Sequence, residues 1–342
     1  MPLVIGIDPG TVSIDLVGLR DGELWLDQSH PTREALASPG EFVALLTSRG
    51  APDLIAGPSG YGLPLLPADQ VTEAHLRLAL LAADGETGGI GGLGGLLRVL
   101  AASGLPVVFT PGAIHLPTVP VARKLNRVDL GTADKVAAVA LAIWDQAGRL
   151  DLPPEGTSLI LLELGGAFTA ALAVDHGAVV DGFGGTSGPM GWKSSGGWDG
   201  EVAFLAGEVG KDLLFRGGRS EPPNDEAALS AYVESAHKAV LALTASVPRP
   251  REILLSGRHA TDPEVRIPLD ARLAGIAPVR DLVGFAKVAK QGAQGAALIA
   301  DGLAGGTHRD LVEGLRLGEA SGTALDYLRV ITPGAARKRL GL

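Results

Sequence analysis

Two acidic residues stand at matching places in the chain, each where an apolar run gives way to glycine. Asp8 follows Val4-Ile5-Gly6-Ile7 and precedes Pro9-Gly10-Thr11. Glu163 follows Leu159-Ile160-Leu161-Leu162 and precedes Leu164-Gly165-Gly166. A carboxylate at the end of a buried strand supplies hard oxygen ligands, and a glycine turn beside it lets the backbone approach a ligand and point its N–H groups into the gap.

The elements around these acids repeat. Asp8 to Glu163, Gly10 to Gly165 and Gly22 to Gly177 are each 155 positions apart, so the two segments align without a gap. Each reads as an apolar strand, an acid and glycine turn, a second strand, a tight turn (Asp21-Gly22 or His176-Gly177) and a third strand. Two unrelated hairpins can share this look, but a common register with acid and glycine at equivalent strand ends points to duplication. Asp8 can also be read as a residue that only caps its own turn.

Strands and helices alternate elsewhere. Strands are expected at Asp53–Gly57, Pro106–Phe109 and Glu252–Gly257, and helices at Leu76–Ala83, Leu96–Ala102, Ala133–Arg149, Glu226–Ser246 and Ala286–Leu303, with Thr132 an N-cap. Pro153-Pro154-Glu155-Gly156 reads as the linker. The expectation is an α/β protein of two lobes, residues 1–152 and 153–342.

Composition narrows the function classes. The 342 residues carry a formal net charge of −9, which argues against broad binding to a nucleic-acid backbone. With no cysteine, disulfides, thiolate nucleophiles and cysteine-based zinc sites are absent, and a reducing compartment is suited. The N-terminal apolar run stops at Asp8 and lacks a basic lead, so it reads as a strand rather than a signal peptide. Apolar stretches such as Val136–Trp144 fall short of the roughly 20 residues needed to span a bilayer. A cytoplasmic protein with no membrane or nucleic-acid partner is expected.

The motifs, in order, resemble those of the acetate-and-sugar-kinase/heat-shock-chaperone/actin superfamily. Asp8-Pro9-Gly10-Thr11 with Ser13 resembles its first phosphate motif, and Glu163-Leu164-Gly165-Gly166 with Thr169 its second, where Asp is more usual. Leu254-Leu255-Ser256-Gly257 resembles the turn that supports adenosine. Gly131-Thr132-Ala133-Asp134-Lys135 and Gly292-Ala293-Gln294-Gly295-Ala296 look like the two helices that connect the lobes. Within the superfamily the chain looks like the acetate/butyrate-kinase branch. It also resembles an uncharacterised prokaryotic family carrying an Asn-Arg-[Val/Ile]-Asp-x-Gly-Thr-Ala-Asp-Lys segment, here Asn126–Lys135.

The resemblance implies two RNase H-like lobes, a duplicated actin-like ATPase domain with a cleft between them. It implies ATP and Mg²⁺ as cofactors, with Asp8 and Glu163 holding the metal and Gly10, Thr11, Ser13, Gly165, Gly166, Thr169 and Gly257 meeting the nucleotide. It implies an ATP-dependent kinase acting on a small molecule, a carboxylate among the candidates, and it allows a homodimer. The other classes are a nucleotide-dependent switch or assembly protein of the actin or heat-shock-chaperone type, and a relative that binds a metabolite without catalysis.

Residues 123–135 hold the densest polar cluster: Arg123, Lys124, Asn126, Arg127, Asp129, Thr132, Asp134 and Lys135. Read functionally, Arg127 meets the substrate anion or the transition-state charge, and Asp134 the metal, water or acceptor. Read structurally, the cluster is a capped helix with a solvated, charged start. The loop 182–200 is too glycine-rich for a regular element and reads as functional. It resembles the segment after the second phosphate motif in acetate kinases. The arginine expected there is unmatched, with Lys193 the nearest cation. The run Gly88–Gly95 contains G-x-G-x-x-G without a preceding strand, so it reads as a cap loop or packing turn rather than a dinucleotide site. Gly57–Gly62 follows a strand and is a candidate lining of the acceptor pocket. Among the histidines, only His115 is worth a test, and an ordinary loop role is expected for it. Gly210-Lys211 lacks the upstream glycine of a Walker A motif.

Overall fold

The computed structural model describes residues 2–10, 12–57, 59–83, 86, 93–223 and 225–342. Thr11, and the 88–92 part of the expected cap loop, lie outside the described residues.

The first half forms β1 (Leu3–Pro9), β2 (Ser13–Arg20), β3 (Glu23–Pro31), α1 (Thr32–Ala37), α2 (Pro39–Leu45), β4 (Leu54–Gly57), β5 (Leu66–Pro67), α3 (Glu73–Leu80), α4 (Leu93–Ala102), β6 (Val107–Phe109), α5 (Val121–Lys124) and α6 (Ala133–Leu150). The second half forms β7 (Ser158–Leu164), β8 (Thr169–Asp175), β9 (Ala178–Phe183), α7 (Gly200–Ala206), α8 (Glu226–Leu243), β10 (Glu252–Ser256), α9 (Pro263–Leu273), β11 (Val279–Asp281), α10 (Gln291–Leu303), α11 (Arg309–Leu315) and α12 (Pro333–Arg339).

The duplication is a duplication of sheets. The first sheet runs β3-β2-β1-β4-β6-β5, and the second, read in the same direction, runs β9-β8-β7-β10-β11. Both place an antiparallel three-strand meander beside parallel strands. Even the irregularity repeats: the β2–β3 ladder shifts register between Gly18 and Leu19, and β8–β9 between Ala173 and Val174, again 155 positions on. The turn residues Asp21 and Gly22 have φ of 56° and 80°, and His176 and Gly177 have 49° and 71°. Positive φ at both central positions is the hairpin turn that matches strand twist.

The apolar runs are continuous because both sheet faces are covered. Val4, Val17, Leu159, Leu161 and Leu172 face a central core between the sheets, filled by α6 and α10. Ile5, Ile7, Ile14 and Leu16 face an outer core with Phe42, Leu96, Leu97 and Leu100. Ile160, Leu162, Ile253 and Leu255 face the other outer core, against Tyr232, Val240 and Leu269. The layers run helix, sheet, helix, sheet, helix. In the central layer, a side chain at Gly295 would overlap the Ala137 carbonyl, so glycine is what lets α6 and α10 touch backbone to backbone.

Two segments of the second half pack on the first sheet. Helix α10 lies on β1, β2 and β4. The C-terminal segment supplies Leu325, Ala336 and Leu340 to the first lobe's outer core, and Arg77 donates to the Leu340 carbonyl at 3.1 Å. The helix expected from Ala286 begins instead at Gln291. The residues ahead of it are tied to the first sheet: Lys287, Val288 and Ala289 donate to the Asp27 carboxylate at 2.8, 2.9 and 2.7 Å, and Lys290 N–H to Asp15 at 3.0 Å. Among the described residues, no helix is long and apolar enough to cross a membrane.

Candidate active site

Four element ends meet in a cleft of about 630 Å³: the end of β1 with Asp8, the start of α6 with Asp134 and Lys135, the end of β7 with Glu163, and Lys290 just before α10. Lys135 Nζ donates to Asp134 Oδ2 and to Glu163 Oε1, both at 2.6 Å. Lys290 Nζ lies 3.6 Å from Asp8 and 3.4 Å from the buried Asp15, and donates to the Ser13 carbonyl at 3.1 Å. Each lysine thus serves two carboxylates, and four carboxylates against two ammonium groups leave a formal excess of two negative charges.

That excess falls on Asp8. Burial, partly offset by Lys290 and reinforced by Asp134 and Glu163, pushes its carboxyl up from 3.8 to about 6. Asp134 behaves oppositely. Burial raises it, but Lys135 and the hydroxyl of Thr132, which donates to its other oxygen, hold it below the ordinary carboxylate range. Lys135, buried between two acids, is held well above the usual lysine range because their attraction outweighs its desolvation. Asp129 is also buried and shifted upward; it accepts from Gly131 N–H and from Thr186 N–H and Oγ1, each at 3.1 Å.

Of the residues expected at the site, Asp8, Gly10, Ser13, Asp134, Glu163, Gly165, Gly166 and Gly257 line the cleft. Gly257 has φ of +90°, and a side chain there would press on the Leu164 carbonyl, so the β10 turn closes against the Glu163 turn. Ser59, Gly60 and Tyr61 from the Gly57–Gly62 stretch also line it, as do Gly185 and Thr186 from the 182–200 loop.

Arg127 is not brought there. It is exposed and lies outside the cleft lining, because its neighbour Asn126, at φ 55°, spends its side chain on the C-terminal segment, accepting from Arg329 and Val330 N–H at 2.7 and 3.0 Å. Thr169 is buried on β8 with its hydroxyl 3.5 Å from Tyr232 OH, away from the cleft lining. Lys193 is exposed and outside the lining as well; Lys211 is the cation of that region that reaches the cleft. Thr132 is the N-cap residue of α6, but its hydroxyl turns to Asp134 instead of capping. His115 is buried in a short 3₁₀ turn, outside the lining, and its desolvation pushes it down to about 4.

Neither Lys290 nor Lys211 is singled out for the site by sequence, and Lys135 stands out only as part of a charged cluster. The one signal for Lys290 is its place, with Lys287, at the head of an Ala/Gly-rich helix.

The duplicated sheets, the crossing helices between them and the acid-lined cleft define a two-lobed protein with the fold of the acetate-and-sugar-kinase/heat-shock-chaperone/actin superfamily. The chain belongs to the family described as a protein of unknown function (DUF1464), whose model matches residues 6–330. Similar solved structures include a propionate kinase from Francisella tularensis (TM-score 0.59, 11% identity, covering 86% of this chain and 99% of that one). Others are acetate kinases from Porphyromonas gingivalis (TM-score 0.55, 13% identity, 81% and 88% covered) and Entamoeba histolytica (TM-score 0.55, 10% identity, 80% and 86% covered). At these identities the likeness is one of fold. No curated protein sequence matches the chain.

Proposed function

We propose that the protein is an ATP- and Mg²⁺-dependent phosphotransferase acting on a small molecule, with a carboxylate as acceptor. The observation that carries this reading is the pairing of the two acid-and-glycine turns, Asp8 with Gly10 and Glu163 with Gly165-Gly166, on the wall of one cleft. Gly10 and Gly165 spend their own N–H groups on the Ser13 and Phe168 carbonyls and so fix the turns. The remaining N–H groups of such turns, together with the Lys290 ammonium beside Gly10 and Ser13, suit the oxygens of a polyphosphate.

The donor set fits Mg²⁺. Asp8 is a carboxylate whose charge is incompletely answered, and among the described residues no three acidic or histidine side chains enclose a cation by themselves. Mg²⁺ is commonly held by one or two carboxylates and completes its shell with water and phosphate oxygens. Asp8, with Glu163 beside it, would hold the ion, which when bound supplies charge neutralisation at the transferred phosphoryl group.

In the transfer, a bond forms between an acceptor oxygen and the γ-phosphorus, the bond to the β,γ-bridging oxygen breaks, and ADP leaves with the electron pair. A carboxylate acceptor has no proton to lose. That agrees with a cleft floor where Asp134 has both oxygens taken by Thr132 and Lys135 and is a poor base; Asp134 acts through Lys135, which it positions. Closure of the lobes would exclude water from the γ-phosphate.

Isothermal titration of the purified protein with ATP–Mg²⁺ tests the reading. Binding is expected in the micromolar-to-millimolar range, weakened at least tenfold in Asp8→Asn. Absence of binding at millimolar nucleotide rules it out.

A further inference from the structure

One group of cleft residues is distinct in chemistry from both the acidic floor and the Gly257 turn. Leu80 and Leu93 from the first lobe and Phe168 and Phe215 from the second line the same cavity, and the two phenylalanine rings meet edge to face at 4.9 Å. Lys211, at the start of the 3₁₀ turn Lys211–Phe215, enters this apolar group from the second lobe. Its ammonium lies 5.5 Å from the ring centroid of Tyr61, which belongs to the first lobe. The backbone of Tyr61 is held by its N–H, which donates to the Ala79 carbonyl at 2.8 Å, and its buried phenol feels the charge of Asp129, to which Thr186 is bound.

Lys211 differs from the two lysines of the floor. Lys135 and Lys290 each lie on a pair of carboxylates. Lys211 has a π face as its close partner, and among the described residues no carboxylate stands within ion-pair distance; the Glu86 charge acts on it from farther away. Desolvation lowers its pKa accordingly. A partly buried cation whose close partner among the described residues is a ring carries a desolvation cost, and an incoming anion offsets that cost.

We propose that Lys211, seated over Tyr61, is the anion-reading end of the acceptor subsite, so that the acceptor carries an anionic group remote from its phosphoryl-accepting oxygen, with an apolar stretch between them. The remote anion sits on Lys211, the apolar stretch runs along Leu80, Leu93, Phe168 and Phe215, and the accepting oxygen reaches the floor at Asp8 and Glu163. The pair spans the two lobes, so the anion also favours the closed cleft. This rests on the phosphotransferase reading above and narrows its substrate class to two-ended molecules such as dicarboxylates.

The test compares adipate with hexanoate, a diacid and a monoacid of equal chain length, titrated into protein saturated with a non-hydrolysable ATP analogue and Mg²⁺. Adipate is expected to bind at least tenfold more tightly than hexanoate. In Lys211→Met that preference is expected to vanish while affinity for the nucleotide stays within twofold of the parent, which also shows that the variant is folded. Phe215→Ser should weaken both acids together. Equal binding of the two acids to the parent, a preference that survives in K211M, or no binding of either acid by nucleotide-loaded protein each overturns the proposal. Failure of the parent to bind nucleotide at all sinks the phosphotransferase reading instead, so the two failures are distinguishable.

Discussion

Lys135 Nζ sits 2.6 Å from Asp134 on its own helix and 2.6 Å from Glu163 at the end of β7, tying the first turn of α6 to the second sheet. The ammonium is largely buried, and both acids depend on it. Removing one partner of a buried ionic group leaves an uncompensated charge.

Lys135→Met is therefore expected to destabilise the fold by about 3 kcal/mol, measured as a shift of the urea midpoint at constant slope. Adding Glu163→Gln to that variant should recover part of the loss, since it removes one of the stranded charges. A K135M protein as stable as the parent would refute the buried three-group arrangement.

Asp8→Asn should stabilise the protein near neutral pH while weakening nucleotide binding. Because the folded-state pKa is raised from 3.8 to about 6, the folded protein holds a proton that the unfolded chain releases, and the penalty for ionising Asp8 accumulates as pH rises through this window. The gap corresponds to about 3 kcal/mol at most, fully present above pH 6 and absent below about pH 4. Denaturant titrations of parent and variant from pH 4 to 8 should converge at the acid end and diverge toward neutrality.

Asp27 works in the other direction. Burial raises its pKa, but the backbone N–H groups of Ala289, Lys287 and Val288 outweigh this and lower it. The stability it contributes is present above the unfolded carboxylate pKa and is lost as pH falls through the lower folded value. Asp27→Ala should cost about 1 kcal/mol and speed hydrogen exchange at residues 287–289, with little change on the rest of β3.

Gly295→Val should cost about 3 kcal/mol or more, because the added methyl groups meet the Ala137 carbonyl where α6 and α10 cross. Thermal melting reads the loss. Gly148→Ala, on the open side of α6 where an added methyl group meets nothing, serves as the matched control and should be neutral or slightly stabilising.

Arg127→Ala and Thr169→Val should both leave nucleotide affinity within about twofold of the parent, since neither side chain lines the cleft. A tenfold loss in R127A would restore the role that the charged cluster around it suggests.

The 155-residue repeat, the apolar runs of the strands, the two hairpin turns and the acid at each strand end were all legible in the chain. Each is encoded within a few residues, by side-chain period and turn chemistry, and the whole pattern occurs twice. Asp8, Gly10 and Glu163 could therefore be named from the repeat, Asp134 from its polar cluster and Gly257 from the family resemblance, and they line one cleft. What could not be read was pairing at long range. Lys290 lies 275 positions from Asp15 in sequence, yet its backbone caps that carboxylate and its ammonium shares it with Asp8. The residues just before α10 are anchored by Asp27, far away on β3, which accepts from the N–H groups of Lys287, Val288 and Ala289. Asn126 has the look of a polar-site residue in sequence and proves to be a clasp for the C-terminal segment, which pulls Arg127 out to solvent. Lys211 and Tyr61 meet only because two lobes face each other. Local sequence determined the two acid-and-glycine turns; the closing of one sheet on the other determined which cations answer them, because charge partners are chosen by distance in space and not by distance along the chain.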